Sequence, residues 1–167
     1  FEEIDIVNED FTTFMNKHQN IEAIVSPANS FGLMDGGYDK AITDYFGEEL
    51  MKDVQNTIMI KWYGEQPVGT SMTVPIRNRI ISDKKRGLIA KKYAVLIHTP
   101  SMRTPEIITD YRIIYQCMRT TLIEAIKQNR GNYINNDTGW DIAVSREGET
   151  NTISHSGKDR MSEYGLS

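Results

Sequence analysis

The sequence predicts an α/β fold in which helices layer on a largely parallel, mixed sheet. Three observations predict it. Short apolar runs alternate with stretches of helical period, the pattern of a layered α/β unit. One of those runs, Ile21–Val25, is apolar on both faces, as a central strand must be. The stretch opened by Pro105 repeats apolar residues at i, i+3, i+4 and i+7, the period of a long helix.

The elements follow in order. Ile4-Asp5-Ile6 alternates and predicts a short strand within Phe1–Val7. Residues 10 to 18, DFTTFMNKH, predict a first helix capped by Asp10, with Phe11, Phe14 and Met15 on one face. After Ile21–Val25, a second helix starts at Asp39 as its cap and carries Ile42, Phe46, Leu50, Val54 and Ile58 as one stripe. Strands are expected at Thr70–Ile76 and Tyr93–His98, with the basic residues at 84–86 and 91–92 as solvated edges. Pro105 then opens the longest helix, whose packed stripe is Ile107, Ile108, Tyr111, Ile114, Met118, Leu122, Ala125 and Ile126. From Arg130 the chain turns polar; Tyr133-Ile134 and Trp140–Val144 are expected to form one hairpin, and the remainder a tail. The division is therefore an α/β domain over 1–128 and a polar appendage over 129–167.

Composition narrows the function. The 167 residues fit one domain. A formal net charge of −4 argues against a partner held mainly by phosphate contacts along a nucleic acid. A single nucleotide remains compatible, because backbone N–H groups can hold its phosphates. Cys117 is the only cysteine, which excludes an intrachain disulfide and a multi-cysteine zinc site. His18 and His155 have no metal-ligand companions at recognisable spacing, so no metal and no cofactor is expected. His98 reads as a satisfied histidine at the end of its strand, and Cys117 as a structural thiol. No apolar run has the length of a membrane span and no signal peptide is visible, so a cytoplasmic location is expected.

The stretch SPANSFGLMDGG, residues 26–37, is where chemistry concentrates. It lies beyond the carboxyl end of a central strand, where ligands bind in open α/β sheets. Gly36 and Gly37 lack Cβ atoms and let a phosphate or ribose approach the backbone. Asn29 offers a donor pair and an acceptor suited to ribose hydroxyls. The local alternative is a plain turn closed by the Asn29 side chain.

AIVSPANSFGLMDGGYDKAI, residues 23–42, resembles the signature of macrodomains, the ADP-ribose-binding modules. The match runs through Ile24, Val25, Ala28, Asn29, Ser30, Gly36, Gly37, Asp39, Ala41 and Ile42. DIVNEDFT, VGTSMTVP and YAVLIHTPSMRTP are similar to other segments of a phage and bacterial branch, in the same order, over about residues 1–128. The resemblance implies a three-layer α/β/α fold and binding of ADP-ribose or a derivative. The partner would then be ADP-ribose itself or an ADP-ribosylated protein or nucleic acid. It gives Asp10 and the Phe11 backbone to adenine. Ala28, Asn29, Ser30, Gly36 and Gly37 fall to the ribose and diphosphate. In hydrolytic members it would give Asn29 and Asp39 catalytic roles. Removal of ADP-ribose from a modified target, or of phosphate from ADP-ribose phosphate, is the activity this would support.

There are two departures. Met34 and Asp35 stand where the family often has glycines, and no apolar strand with a G-x-G-T-G-type loop follows Gln128. The fold is therefore expected to be incomplete at its C-terminal end. Residues 130–167 weakly resemble a segment of large phage polyproteins. A partial module without a nucleotide site, serving as an interaction unit, is the alternative reading.

Overall fold

The computed structural model describes residues 4–18, 21–76, 95–134, 142–145 and 151–155. Strand β1 (Ile4–Asn8) leads into helix α1 (Phe11–Lys17). Strand β2 (Ala23–Asn29) is followed by α2 (Gly37–Phe46) and α3 (Glu48–Trp62). Strands β3 (Met72–Pro75) and β4 (Val95–Met102) precede the long helix α4 (Tyr111–Ile134). Two short strands, β5 (Ile142–Ser145) and β6 (Asn151–His155), complete the set.

These strands form one sheet in the order β1-β6-β5-β2-β4-β3. Its centre is parallel: β2 runs beside β4 and beside β5 in the same direction. The flanks are antiparallel, with β3 on β4, β6 on β5, and β1 on β6. Side chains alternate between two helical layers, as period-2 geometry requires. Ile24 and Leu96 point into a core shared with Phe14, Ile42, Leu50, Val54 and Ile58 from α1, α2 and α3. Ala23, Val25, Val95 and Ile97 point the other way and meet Ala125 of α4. The three-layer α/β/α architecture follows directly from that alternation.

Several expectations are corrected in detail. The central strand does not stop at Val25 but continues through Pro27 to Asn29. Through Pro27, which has no N–H to donate, β2 stays paired with β4, Pro27 standing opposite Thr99. The single helix expected from Asp39 is two helices. Gly47, at φ +93, ends α2 and starts α3, and the stripe of Ile42, Phe46, Leu50, Val54 and Ile58 stays buried across the break. Asp39 is not the cap of α2; Gly36 takes that place and Asp39 sits in the first turn. Tyr133 and Ile134 end α4 rather than enter a hairpin. Strand pairing instead joins β5 to β6, and β5 lies inside the sheet beside β2, so a strand does follow the long helix. The basic residues at 84–86 and 91–92 and the segment 135–141 lie outside the described residues.

The largest correction concerns α4. It begins at Tyr111 rather than Pro105, where the Asp110 carboxylate accepts the Arg112 amide at 3.0 Å. Of the expected stripe, Ala125 is buried against the sheet and Leu122 and Ile126 are half-buried, but Tyr111 is 83% exposed and Ile114 and Met118, with Tyr115, are exposed too. Around Ala125 the face against the sheet is polar. Ser71 Oγ lies 2.7 Å from Thr99 Oγ1 and 2.9 Å from Thr120 Oγ1. Thr99 Oγ1 lies 2.9 Å from Thr121 Oγ1, and Thr73 donates to Glu124 at 2.9 Å. The sheet carries hydroxyls on this side, and hydroxyls that become buried need partners more than α4 needs to hide carbon. Thr121→Val is expected to lower stability by about 1 kcal/mol, because the Thr99 hydroxyl then keeps only Ser71 of its two hydroxyl partners. Adding Thr99→Val should recover part of that loss, and urea unfolding of the double-mutant cycle checks it. Strict additivity would contradict the coupling.

Candidate functional site

The site is built at the carboxyl edge of the parallel strands. β2 and β4 end together there, and the register slips by one residue between Ala28 and Asn29. The Ser30 amide then bonds the carbonyls of Met102 and Arg103 at 3.1 and 3.2 Å, tying the two post-strand loops into one corner. Gln66 reaches the same corner, its amide donating to the Ser30 carbonyl at 2.9 Å.

The Asn29 side chain organises the loop that follows. Its Oδ1 accepts from the amides of Phe31 and Leu33 at 3.1 and 3.2 Å, and its Nδ2 donates to the Leu33 carbonyl at 2.8 Å. One amide N–H is left over for a further acceptor. Gly32 lies against α3 at φ +67, where a Cβ would come within 2.9 Å of both Ile58 and Val54. No larger residue fits. Met34 turns inward and is buried in the core, and its carbonyl accepts the Thr43 hydroxyl at 2.9 Å. Asp35, Gly36 and Gly37 emerge exposed, and a Cβ built on either glycine meets no atom within 4 Å.

Two helix N-termini converge beside this loop. The ring of Phe11, first residue of α1, packs edge-on against Tyr38 of α2 with centroids 5.3 Å apart. Asp10 caps α1, accepting the Thr13 amide at 3.0 Å and the Thr13 hydroxyl. Those two bonds, the hydroxyl foremost, hold its carboxyl below the usual range, so it is ionised at neutral pH. Burial, and then the neighbouring Asp39, push the Tyr38 phenol well above its ordinary value; its hydroxyl is buried with no partner. Asp39 is buried in the first turn of α2, with Ser26 donating to its carboxylate. Helix-terminal N–H groups favour negative charge in that position.

A family model described as Macro-like domain matches residues 5–121. The chain belongs to the Macro-like domain family. Among solved structures it is similar to the Oceanobacillus iheyensis macrodomain with ADP, at 23% identity, a TM-score of 0.50, and coverage of 65% of this chain and 52% of that one. It is equally similar to the same macrodomain with MES bound, at 23% identity, TM-score 0.50, and 65% and 52% coverage. At this identity the likeness concerns the fold. The chain spans about half the length of these solved relatives. No curated protein matches it.

Within this Macro-like domain the candidate residues divide into two groups. Asp10, Phe11, Gly36 and Gly37 gather at the converging helix ends, linked by the Phe11–Tyr38 contact. Ala28, Asn29 and Ser30 form the buried corner beneath, and Asp39 is buried with Ser26. Among the described residues, no group of three His, Cys, Asp or Glu side chains is placed to hold a metal ion, and no helix is long and apolar enough to cross a membrane. Residues 146–150, which follow β5 in the sequence, lie outside the described residues.

Two clusters of this macrodomain escaped the sequence reading. Arg103 lies over the Phe31 ring at 5.2 Å and pairs with Glu65 at 2.6 Å. Its signal was an arginine between two prolines, directly after a strand. The second is a buttress under the corner. His98 is not at a strand end but inside β4, fully buried. Gln66 spends its amide nitrogen on Thr70 and on the His98 carbonyl, so its Oε1 accepts from His98 Nδ1 at 2.7 Å. Nε2 is then an unprotonated, buried and unpartnered acceptor.

Burial pushes the His98 imidazole down to about 3. The ordinary value in the unfolded chain is about 6.5, so between these values only the unfolded state takes up the proton. Stability is therefore expected to fall as pH drops below about 6.5, by up to about 1.4 kcal/mol per pH unit from this group. Urea midpoints between pH 7.5 and 5 should show a steeper decline for the wild type than for His98→Gln. Parallel curves would remove His98 as the cause.

Proposed function

We propose that this chain binds ADP-ribose or an ADP-ribose derivative at the carboxyl edge of β2. One observation carries the reading: an open glycine pair at the N-terminus of α2 stands beside the capped N-terminus of α1, joined through Phe11 and Tyr38. Backbone N–H groups at a helix N-terminus suit phosphate, and an ionised carboxylate at a second helix cap suits an exocyclic amine. Family membership and the ADP-bound relative support the same assignment.

In this reading Asp10 and the Phe11 backbone hold adenine, and Gly36 and Gly37 pass along the diphosphate. Asn29 meets the distal ribose through its remaining N–H. The geometry favours recognition over turnover. The Asn29 amide is committed to its own loop and Asp39 is buried on Ser26, so neither is poised to activate a water. Removal of ADP-ribose from a modified protein or nucleic acid is the catalytic extension of the same site.

A second reading, an interaction module without a nucleotide, has the exposed apolar face of α4 in its favour. Isothermal titration with ADP-ribose separates the two, and absence of heat at millimolar ligand overturns the binding reading. The informative variant is Gly36→Val, because Gly36 has ordinary extended backbone (φ −137) and open space around it. It is expected to leave the melting temperature unchanged while lowering ADP-ribose affinity about tenfold or more, through lost access to the backbone. Unchanged affinity in that variant would place the ligand elsewhere.

A further inference from the structure

We propose that Arg103 is a cationic group through which this chain recognises the phosphates of its ligand. The inference rests on the nucleotide-binding reading and goes beyond it. A diphosphate brings two negative charges to an edge where Asp10 is ionised and Asp35 is exposed next to the glycine pair. Helix-terminal N–H groups supply only partial positive charge against that. A full cation at the same corner changes the balance.

Arg103 is built into that corner. It directly follows Met102, the residue paired with Asn29 in the sheet, and its carbonyl accepts the Ser30 amide at 3.2 Å. Its guanidinium lies over Phe31, two residues past Asn29 on the ligand loop. Glu65 holds it from the side, taking Nε at 2.6 Å and Nη2 at 3.2 Å. The side chain is nonetheless 62% exposed. A guanidinium has five N–H donors, and Glu65 uses two of them. The rest form an open edge able to take two phosphate oxygens at once, which a lysine ammonium does not do. Because the ring and the carboxylate already fix the rotamer, little ordering remains to be done when an anion arrives.

The Lys40 ammonium, also on α2, is directed elsewhere: it bonds both carboxylate oxygens of Asp44 at 2.8 Å, one turn further along the helix. Phe31, half-buried on that loop, gains a role as the platform that aims Arg103.

The test is ADP-ribose titration of the full chain in 50 to 300 mM NaCl, for wild type, Arg103→Ala, Arg103→Lys and Gly36→Val. Arg103→Ala is expected to weaken binding about tenfold or more at low salt and to flatten the salt dependence. Arg103→Lys should restore the salt dependence and only part of the affinity. Gly36→Val should lose affinity with the wild-type slope. A slope in Arg103→Ala equal to that of wild type overturns the proposal, even if affinity falls, because a merely structural role leaves screening untouched. Wild-type chain that gives no heat at all overturns the nucleotide reading and this inference together, so the two failures are told apart.

Discussion

The parallel pairing of β2 with β4 is the constraint on which the rest of the structure depends. It brings two strand ends to one edge, and the Ser30 amide locks them by bonding both Met102 and Arg103 carbonyls. From that corner α2 must leave on one face of the sheet and α4 on the other, since Ile24 and Val25 face opposite layers. The glycine pair, the Asn29 loop and the Arg103 guanidinium all inherit their positions from this register. A slip of one residue would exchange the two faces and bring Val25 where Ile24 belongs.

The corner is also held from below. His98 and Gln66 form a buried polar pair between the sheet and the loop after α3, and Gln66 passes the restraint to Ser30 through its backbone. Beside it, Ser26 and Asp39 connect β2 to the first turn of α2. Polar groups at this depth keep their arrangement because moving them would strand a donor or acceptor away from water. Rigidity of this edge of the sheet thus comes from hydrogen bonding as much as from packing.

What the sequence revealed and what it hid follow the same physical line. Ile24 and Val25 announced a central strand because both faces of β2 are apolar, and Phe11, Phe14 and Met15 announced the inner face of α1. Gly47 hid the break between α2 and α3, since the buried stripe continues across it. The apolar run ends at Val25, yet β2 continues beside β4 to Asn29, because its outer half is held by sheet pairing and not by an apolar face. In the site, Asn29 and the glycine pair were visible as a motif. The Phe31–Arg103–Glu65 cluster was not, because it joins three loops distant in the chain. For α4 the expected stripe holds at Ala125, which is buried on the sheet, and fails at Tyr111, Ile114 and Met118: a 3.6-residue pattern tells which residues share a side, but not what the sheet offers it.

That last point has a consequence for how α4 settles on the sheet. Two rotations about its axis compete. One, turned by about half a revolution, would bury Tyr111, Ile114, Tyr115 and Met118, yet would leave Ser71, Thr73 and Thr99 facing carbon. The observed rotation gives each of these hydroxyls a partner and leaves the aromatic and aliphatic residues in water. Ser71 and Thr99 would still hold each other, so that rotation would cost their bonds to Thr120 and Thr121 and the Thr73–Glu124 bond, each worth about 0.5–1.5 kcal/mol, against what the apolar residues would gain. The azimuth of the helix is decided by what its neighbour would lose, and the local preference of its own sequence is overruled.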